Sequence, residues 1–231
     1  MHNTAAATRV PALLLAAALS APSSAAVCQG SVAGNVAASD ATAASVASFV
    51  RAKGMTVLTF VGFSGAGYED PAAMLAHAAQ VLTGQQPDKT MINIGATASG
   101  IGAVYELAKR QGFTTIGIVS TLARDEHAVL SPCVDTVFYI RDSRWGGREP
   151  DSQRLSPTSA AIVANSRTLV AIGGGDIARD ELLAARRAGK QASFVAADMN
   201  HQIARDKALK SGLPEPTDFR GSAHTAWAGG R

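Results

Sequence analysis

Residues 168–189 read TLVAIGGGDIARDELLAARRAG, and this stretch decides the fold. Thr168 to Ile172 is a short apolar run rich in β-branched residues, with the length and composition of a buried strand. Three glycines, Gly173, Gly174 and Gly175, end it. Asp176 then stands where a helix N-cap belongs, Asp180 and Glu181 lie near the helix start, and Arg186, Arg187 and Lys190 gather around its end, matching the macrodipole. Gly189 closes the helix. A strand that meets a helix through a turn without side chains brings backbone N–H groups to the rim of a sheet, where an anionic or nucleotide-like ligand can approach the main chain.

The same grammar runs outward from this unit. Thr42 to Lys53 reads as a helix capped by Thr42, with Val46, Phe49 and Val50 on one face. Thr56 to Val61 is a strand that ends in Gly62, Phe63, Ser64, Gly65, Ala66 and Gly67. Asp70 and Pro71 then start a helix as N-cap and N1, with Met74, Leu75, Ala78, Val81 and Leu82 along its apolar face. Thr90 to Ile94 is the next strand, Gly95 to Gly102 its loop, and Val104, Leu107 and Ala108 mark a helix ended by Gly112. Thr114 to Val119 is a third strand running into Ser120, a short helix is expected over Asp125 to Leu130, and Thr136 to Ile140 is a fourth strand. Ser156 and Pro157 start a helix reaching about Asn165, and Gln191 to Ala196 is a sixth strand. Strands alternating with helices, the strands near-continuously apolar, imply a Rossmann-like, doubly wound α/β fold. Its sheet would be mostly parallel, of about six strands, with helices on both faces and a ligand crevice where strand order reverses.

Composition narrows the rest. The chain has 231 residues, 47% hydrophobic and 17% charged, which is globular, and a net charge of +3 with its basic residues dispersed. No basic stripe supports a nucleic-acid partner. Residues 1–26 read as a secretory signal: His2 and Arg9 lead, Val10 to Leu19 is a short apolar core, and Ser24, Ala25 and Ala26 offer a cleavage site. The protein is therefore expected to be periplasmic or secreted, or cytoplasmic if the start is mis-assigned. No stretch is apolar for the roughly 18 residues a membrane span needs. Residues 27–41 read as a linker, 42–200 as the Rossmann-like domain, and 201–231 as a helix from His201 to Lys210 with an irregular tail. Cys28 and Cys133 are the only cysteines, so at most one internal disulfide can form. No metal site and no cofactor are expected, and homodimerisation is left open.

Common phosphate fingerprints are incomplete. In Gly95 to Gly102 the positions of the P-loop Lys and Ser/Thr hold Ile101 and Gly102, and Gly65-Ala66-Gly67 is followed by Asp70 where the dinucleotide motif has its third glycine. The loop after the first strand, the loop Gly95 to Gly102 before a helix, and above all Gly174-Gly175 followed by Glu181-Leu182 together resemble the SLOG superfamily. That group includes the LONELY GUY phosphoribohydrolases, often labelled lysine decarboxylases, DNA-processing proteins and ligand-sensing domains. The resemblance runs from about Thr56 to Ala197. It implies that the loops hold a nucleoside monophosphate, that Glu181 acts at the ribose, and that an upstream arginine assists cleavage of the N-glycosidic bond. Ile177 and Ala178 replace the family's phosphate-lining glycine and threonine, and Leu155 to Ser159, where the arginine is expected, contains none; Arg154 is the nearest. These departures favour binding over hydrolysis.

The candidate ligand-binding residues are Gly62, Ser64, Gly65, Gly67, Gly95, Thr97, Ser99, Gly100, Gly102, Ser120, Gly173, Gly174, Gly175 and Asp176, with Glu181 and Arg154 as catalytic candidates for hydrolysis. The irregular stretch 141–155 offers Arg144, Arg148 and Arg154 to an anion and Trp145 to stack on a base, unless its arginines pair with Asp142, Glu149 and Asp151. A third reading takes Ser64 as the nucleophile of a serine hydrolase, with His201 or His224 as base and Asp198 or Asp176 as acid. His77 and His127 read as ordinary helical residues.

Overall fold

A computed structural model describes Val27, Cys28 and residues 40–229. The expected signal and most of the linker lie outside the described residues. Six strands form one all-parallel sheet: β1 Thr56–Gly62, β2 Thr90–Asn93, β3 Thr114–Ser120, β4 Thr136–Ile140, β5 Thr168–Ile172 and β6 Gln191–Val195, in the order β4-β3-β2-β1-β5-β6. Strand order reverses between β1 and β5, which pair from Leu58 with Thr168 to Gly62 with Ile172. The expected Rossmann-like, doubly wound architecture is what the chain adopts.

Alternation along each strand divides the core between the two faces. Leu58, Phe60, Ile92, Val170 and Ile172 pack under α2 (Pro71–Thr83) and α3 (Val104–Arg110) with Met74, Ala78, Leu82 and Tyr105. Val57, Met91, Ile116 and Ile118 face α1 (Ala43–Ala52) on the other side. Leu169 and Ala171 on that same side face α5 (Pro157–Asn165) and α6 (Asp176–Arg187) through Val163, Ala178 and Leu182. Thr42 caps α1 in a reciprocal capping box with Ser45, and Asp70 with Pro71 starts α2, as their sequence positions dictate.

Three expectations are corrected. The short helix after β3 is α4, Leu122–Asp125, not 125–130. The Ser120 hydroxyl accepts the Leu122 N–H and starts the helix early, while pairing of Leu130 with Thr97 draws residues 126–130 away. His127 accordingly sits in a turn with φ +52, although His77 lies on α2. The tail after α7 (His201–Lys210) contains α8, Gly221–Ala228, which lies on α6, the Arg186 guanidinium 5.1 Å from the Trp227 ring centre. Asp176 is the first residue of α6 and Gly175 its N-cap. Cys28 and Cys133 form a disulfide.

Candidate functional site

The reversal point between β1 and β5 is filled by protein. Phe63, 2% exposed, occupies it, and a Cβ on Gly173 would lie 2.5 Å from its ring. The Gly174 carbonyl accepts the Ala223 N–H of α8 at 3.1 Å. Gly174, at φ +125, has no room for a side chain, since a Cβ there would come within 2.5 Å of Ala178. Gly173 and Gly174 therefore seat Phe63, α6 and α8 against one another, whereas a Cβ on Gly175 would meet nothing within 4 Å.

The open space lies one strand over. A cavity of about 720 Å³ stands between the carboxyl ends of β1 to β3 and the starts of α5 and α6. Ile94, Ile101, Ile118, Val119, Leu130 and Ile162 make its depth apolar. Val129, Trp145 and Ile177 also line it and remain exposed, Trp145 by 44%.

Its polar rim is built by two loops that clasp each other. The Ile101 N–H donates to the Phe63 carbonyl at 2.7 Å, and Gly100 lies so close to that carbonyl that a Cβ could not be accommodated. This contact brings three hydroxyls together: Ser64 Oγ is 2.6 Å from Thr97 Oγ1 and 3.5 Å from Ser99 Oγ. The N–H groups of Gly65 and Ala98, also in the lining, have no partner among the described residues. Buried tyrosines fix both loops from below. Tyr68 OH donates to the Ile172 carbonyl at 2.7 Å and accepts the Phe63 N–H at 3.1 Å. Tyr105 OH donates to the Ile116 carbonyl and accepts the Ile94 and Ala96 N–H groups at 2.8 and 3.0 Å. Burial pushes both phenols well above their ordinary range, so both stay protonated.

Across the cavity stands Glu181, 2% exposed, whose Oε1 accepts the Ser159 hydroxyl at 2.6 Å. Burial raises its pKa to about 7; the neighbouring Asp180 charge adds to that rise, and the Ser159 bond opposes it. Thr158 lines the same wall, and its buried Oγ1 has no partner among the described residues. Asp142 holds the start of α5 by accepting the Thr158 N–H at 2.9 Å.

Of the residues expected from the sequence, Gly62, Ser64, Gly65, Gly95, Thr97, Ser99 and Glu181 line this cavity. Gly67, Gly100, Gly102, Ser120, Gly173, Gly174, Gly175 and Asp176 do not. Ser120 is fully buried, its hydroxyl donating to the Asp142 carbonyl. The Asp176 carboxylate is held by Arg179 and Ser222, each at 2.7 Å. Arg154 points to solvent and pairs with Glu149 at 3.0 Å, while Arg148 lies 3.4 Å from Asp180. The serine-hydrolase arrangement is not assembled: His201 faces Asp198 and Glu69, His224 faces Arg220, and Ser64 meets only hydroxyls. Among the described residues no group of His, Cys, Asp and Glu is placed to hold a metal ion. No helix described is long and apolar enough to cross a membrane. Tyr68, Tyr105, Thr158 and Ser159 were not legible as site residues; the one available signal was a tyrosine shortly after each of the first two glycine loops.

Fold and cavity define a Rossmann-like α/β protein with a ligand-sized crevice at the carboxyl edge of its sheet. No family model matches the chain, and no curated protein sequence matches it. Among solved structures, it is similar to TM1055, a structural genomics target, at 17% identity over 59% of this chain and 71% of that one, with a TM-score of 0.42. It is also similar to the Moco carrier protein of Chlamydomonas reinhardtii, at 17% identity over 75% of this chain and 96% of that one, TM-score 0.44. A further structure of that alga's molybdenum cofactor carrier protein aligns at 20% identity over 68% and 99%, TM-score 0.45. Likeness of this degree says nothing of what the present chain binds.

Proposed function

We propose that this protein is an exported binding protein that holds a nucleotide-derived or phosphorylated small molecule in the sheet-edge cavity without transforming it. One observation carries the reading: a cavity of about 720 Å³ with an apolar depth and a rim where the hydroxyls of Ser64, Thr97 and Ser99 converge. A molecule with a flat ring at one end and a sugar or phosphate at the other matches that division, the ring displacing water from the isoleucine wall. Hydroxyls and free amides can receive sugar or phosphate oxygens without a resident cation. Export is supported by the N-terminal leader pattern and by the Cys28–Cys133 disulfide, a bond that persists in oxidising compartments.

The second reading, hydrolysis of a nucleoside monophosphate, is favoured by Glu181, whose pKa near 7 suits a general acid. Against it, no arginine among the described residues lines the cavity. Thermal shift with nucleosides, nucleoside monophosphates, ADP-ribose and sugar phosphates tests both. A true ligand at a hundredfold excess over its Kd should raise Tm by roughly 5 °C or more. A flat response across the panel overturns the binding reading. Release of free base in the same incubations, abolished in Glu181→Gln, would establish hydrolysis instead.

A further inference from the structure

Among the described residues that line the cavity, Glu181 is the only one with an ionisable side chain. Two guanidinium groups are directed to the neighbouring Asp180 instead: Arg179 Nε donates to Asp180 Oδ1 at 2.9 Å, and Arg148 Nε, buried and without a hydrogen bond among the described residues, pairs with the same oxygen at 3.4 Å. On Glu181, Oε1 accepts the Ser159 hydroxyl, which in turn accepts the Gly147 N–H at 2.8 Å, and Oε2 has no partner among the described residues. Thr158 Oγ1 is likewise unpartnered on the same wall. The segment Trp145–Gly147 passes directly over this spot. A Cβ on Gly146 would lie 2.9 Å from Ser159 Oγ and 3.8 Å from Glu181 Oε1. An open carboxylate oxygen, an orphan hydroxyl and an indole thus face one space that no described Lys, Arg or His side chain lines.

We infer that this inner wall receives a flat, positively charged group of the pyridinium or amidinium type, with Glu181 as its counter-ion, Thr158 as a hydrogen-bonding neighbour and Trp145 against its face. A carboxylate taken out of water is costly when alone and favourable when a bound cation meets it. A cation lying on an indole gains further attraction from the ring quadrupole. An anionic group is repelled from this end, so a phosphate on the same molecule is directed to the hydroxyl rim. The ligand is then bipolar, a positive ring within and an anionic or sugar end without. One further charge acts on Glu181: Asp180 on its own helix, itself paired with Arg148 and Arg179. Where Glu181 holds a proton, binding of the cation sends that proton to solvent.

The inference rests on this cavity being the ligand site of the proposed function, and two matched pairs test it on the full, disulfide-intact chain at pH 8. Nicotinamide mononucleotide and its reduced dihydro form share sugar and phosphate and differ in ring charge. Benzamidine and benzamide differ in charge, and at one atom in donor against acceptor character, at nearly constant shape. By calorimetry, the charged member of each pair should bind at least tenfold more tightly. Glu181→Gln should bring the two members within about twofold, and Trp145→Ala should weaken the charged member. Equal binding within both pairs, or a preference that survives in Glu181→Gln, overturns the inference even where nucleotides bind. If Glu181→Gln does not fold, the pairs on the native chain decide. Silence of every nucleotide alongside a clear benzamidine preference overturns the parent reading and leaves this one standing.

Discussion

Glu181 shows how far a single residue can be read from sequence. As an acid early in a helix with basic residues at its end, it fits a solvated group that serves the dipole as well as it fits a site residue. What decides between these is Ser159, which lies 22 positions away and is brought to it only by the packing of α5 on α6. No local pattern carries that contact. The same holds for Tyr68, whose phenol reaches Ile172 across 104 positions, and for Asn93, which accepts the Ile118 N–H across 25. The consequence for Glu181 is measurable. Its pKa is raised in the fold to about 7, so the neutral form is the one the fold favours. Its contribution is fully present below the ordinary carboxylate range and is lost as pH rises through about 7, at an overall cost on the order of 3 kcal/mol. Glutamine keeps an acceptor for Ser159 and carries no charge. Glu181→Gln should therefore be more stable than the native chain at pH 8 and close to it at pH 5, as chemical denaturation at the two pH values will read.

Elements were more legible than residues, because a buried parallel strand announces itself by an unbroken apolar run and a helix by its cap. Thr136–Ile140 and Thr168–Ile172 occur with the bounds the sequence implies. The elements that differ from expectation, α4 and α8, are those whose ends are set by partners distant in sequence. α8 was hidden by Gly212, Pro214 and Pro216, yet these breakers precede it, and the eight residues 221–228 are themselves compatible with a helix. Its place is fixed from outside, by the Ala223 N–H on the Gly174 carbonyl, by Ser222 on Asp176, and by Trp227 beside Arg186 and Phe194. This is also why Gly173 and Gly174, expected to cradle a ligand, pack against protein and leave the cavity beside them. Truncation after Arg220 should uncover these two glycines and the apolar side of α6. Loss of Ala223 and Trp227 contacts should cost roughly 2–4 kcal/mol by urea unfolding. If the truncated chain unfolds at the native midpoint, α8 is an appendage and the lack of side chains at these glycines needs another cause.

At the scale of the molecule, the doubly wound sheet was legible because each strand-helix unit repeats one pattern and right-handed crossovers leave few ways to assemble such units. What no repeat encodes is how the N-terminal segment joins the body. Cys28 and Val27 pack into the core beside Cys133, which lies between α4 and β4, and the disulfide spans a sequence separation of 105. Cross-linking residues so far apart removes a large share of the unfolded chain's freedom, in theory about 4.7 kcal/mol for a loop near 100 residues, and 2–4 kcal/mol is more usual. For a domain of this size that corresponds to a fall of roughly 5–15 °C in Tm on reduction. Two of the three core clusters contain neither cysteine, so the reduced chain should still melt cooperatively at the lower temperature. A Cys28→Ser/Cys133→Ser double variant should melt where the reduced native chain does and be indifferent to reductant. Coincident melting of the oxidised and reduced native chains would mean that the bond constrains nothing the fold does not already hold, and with that the structural support for an oxidising compartment would be lost.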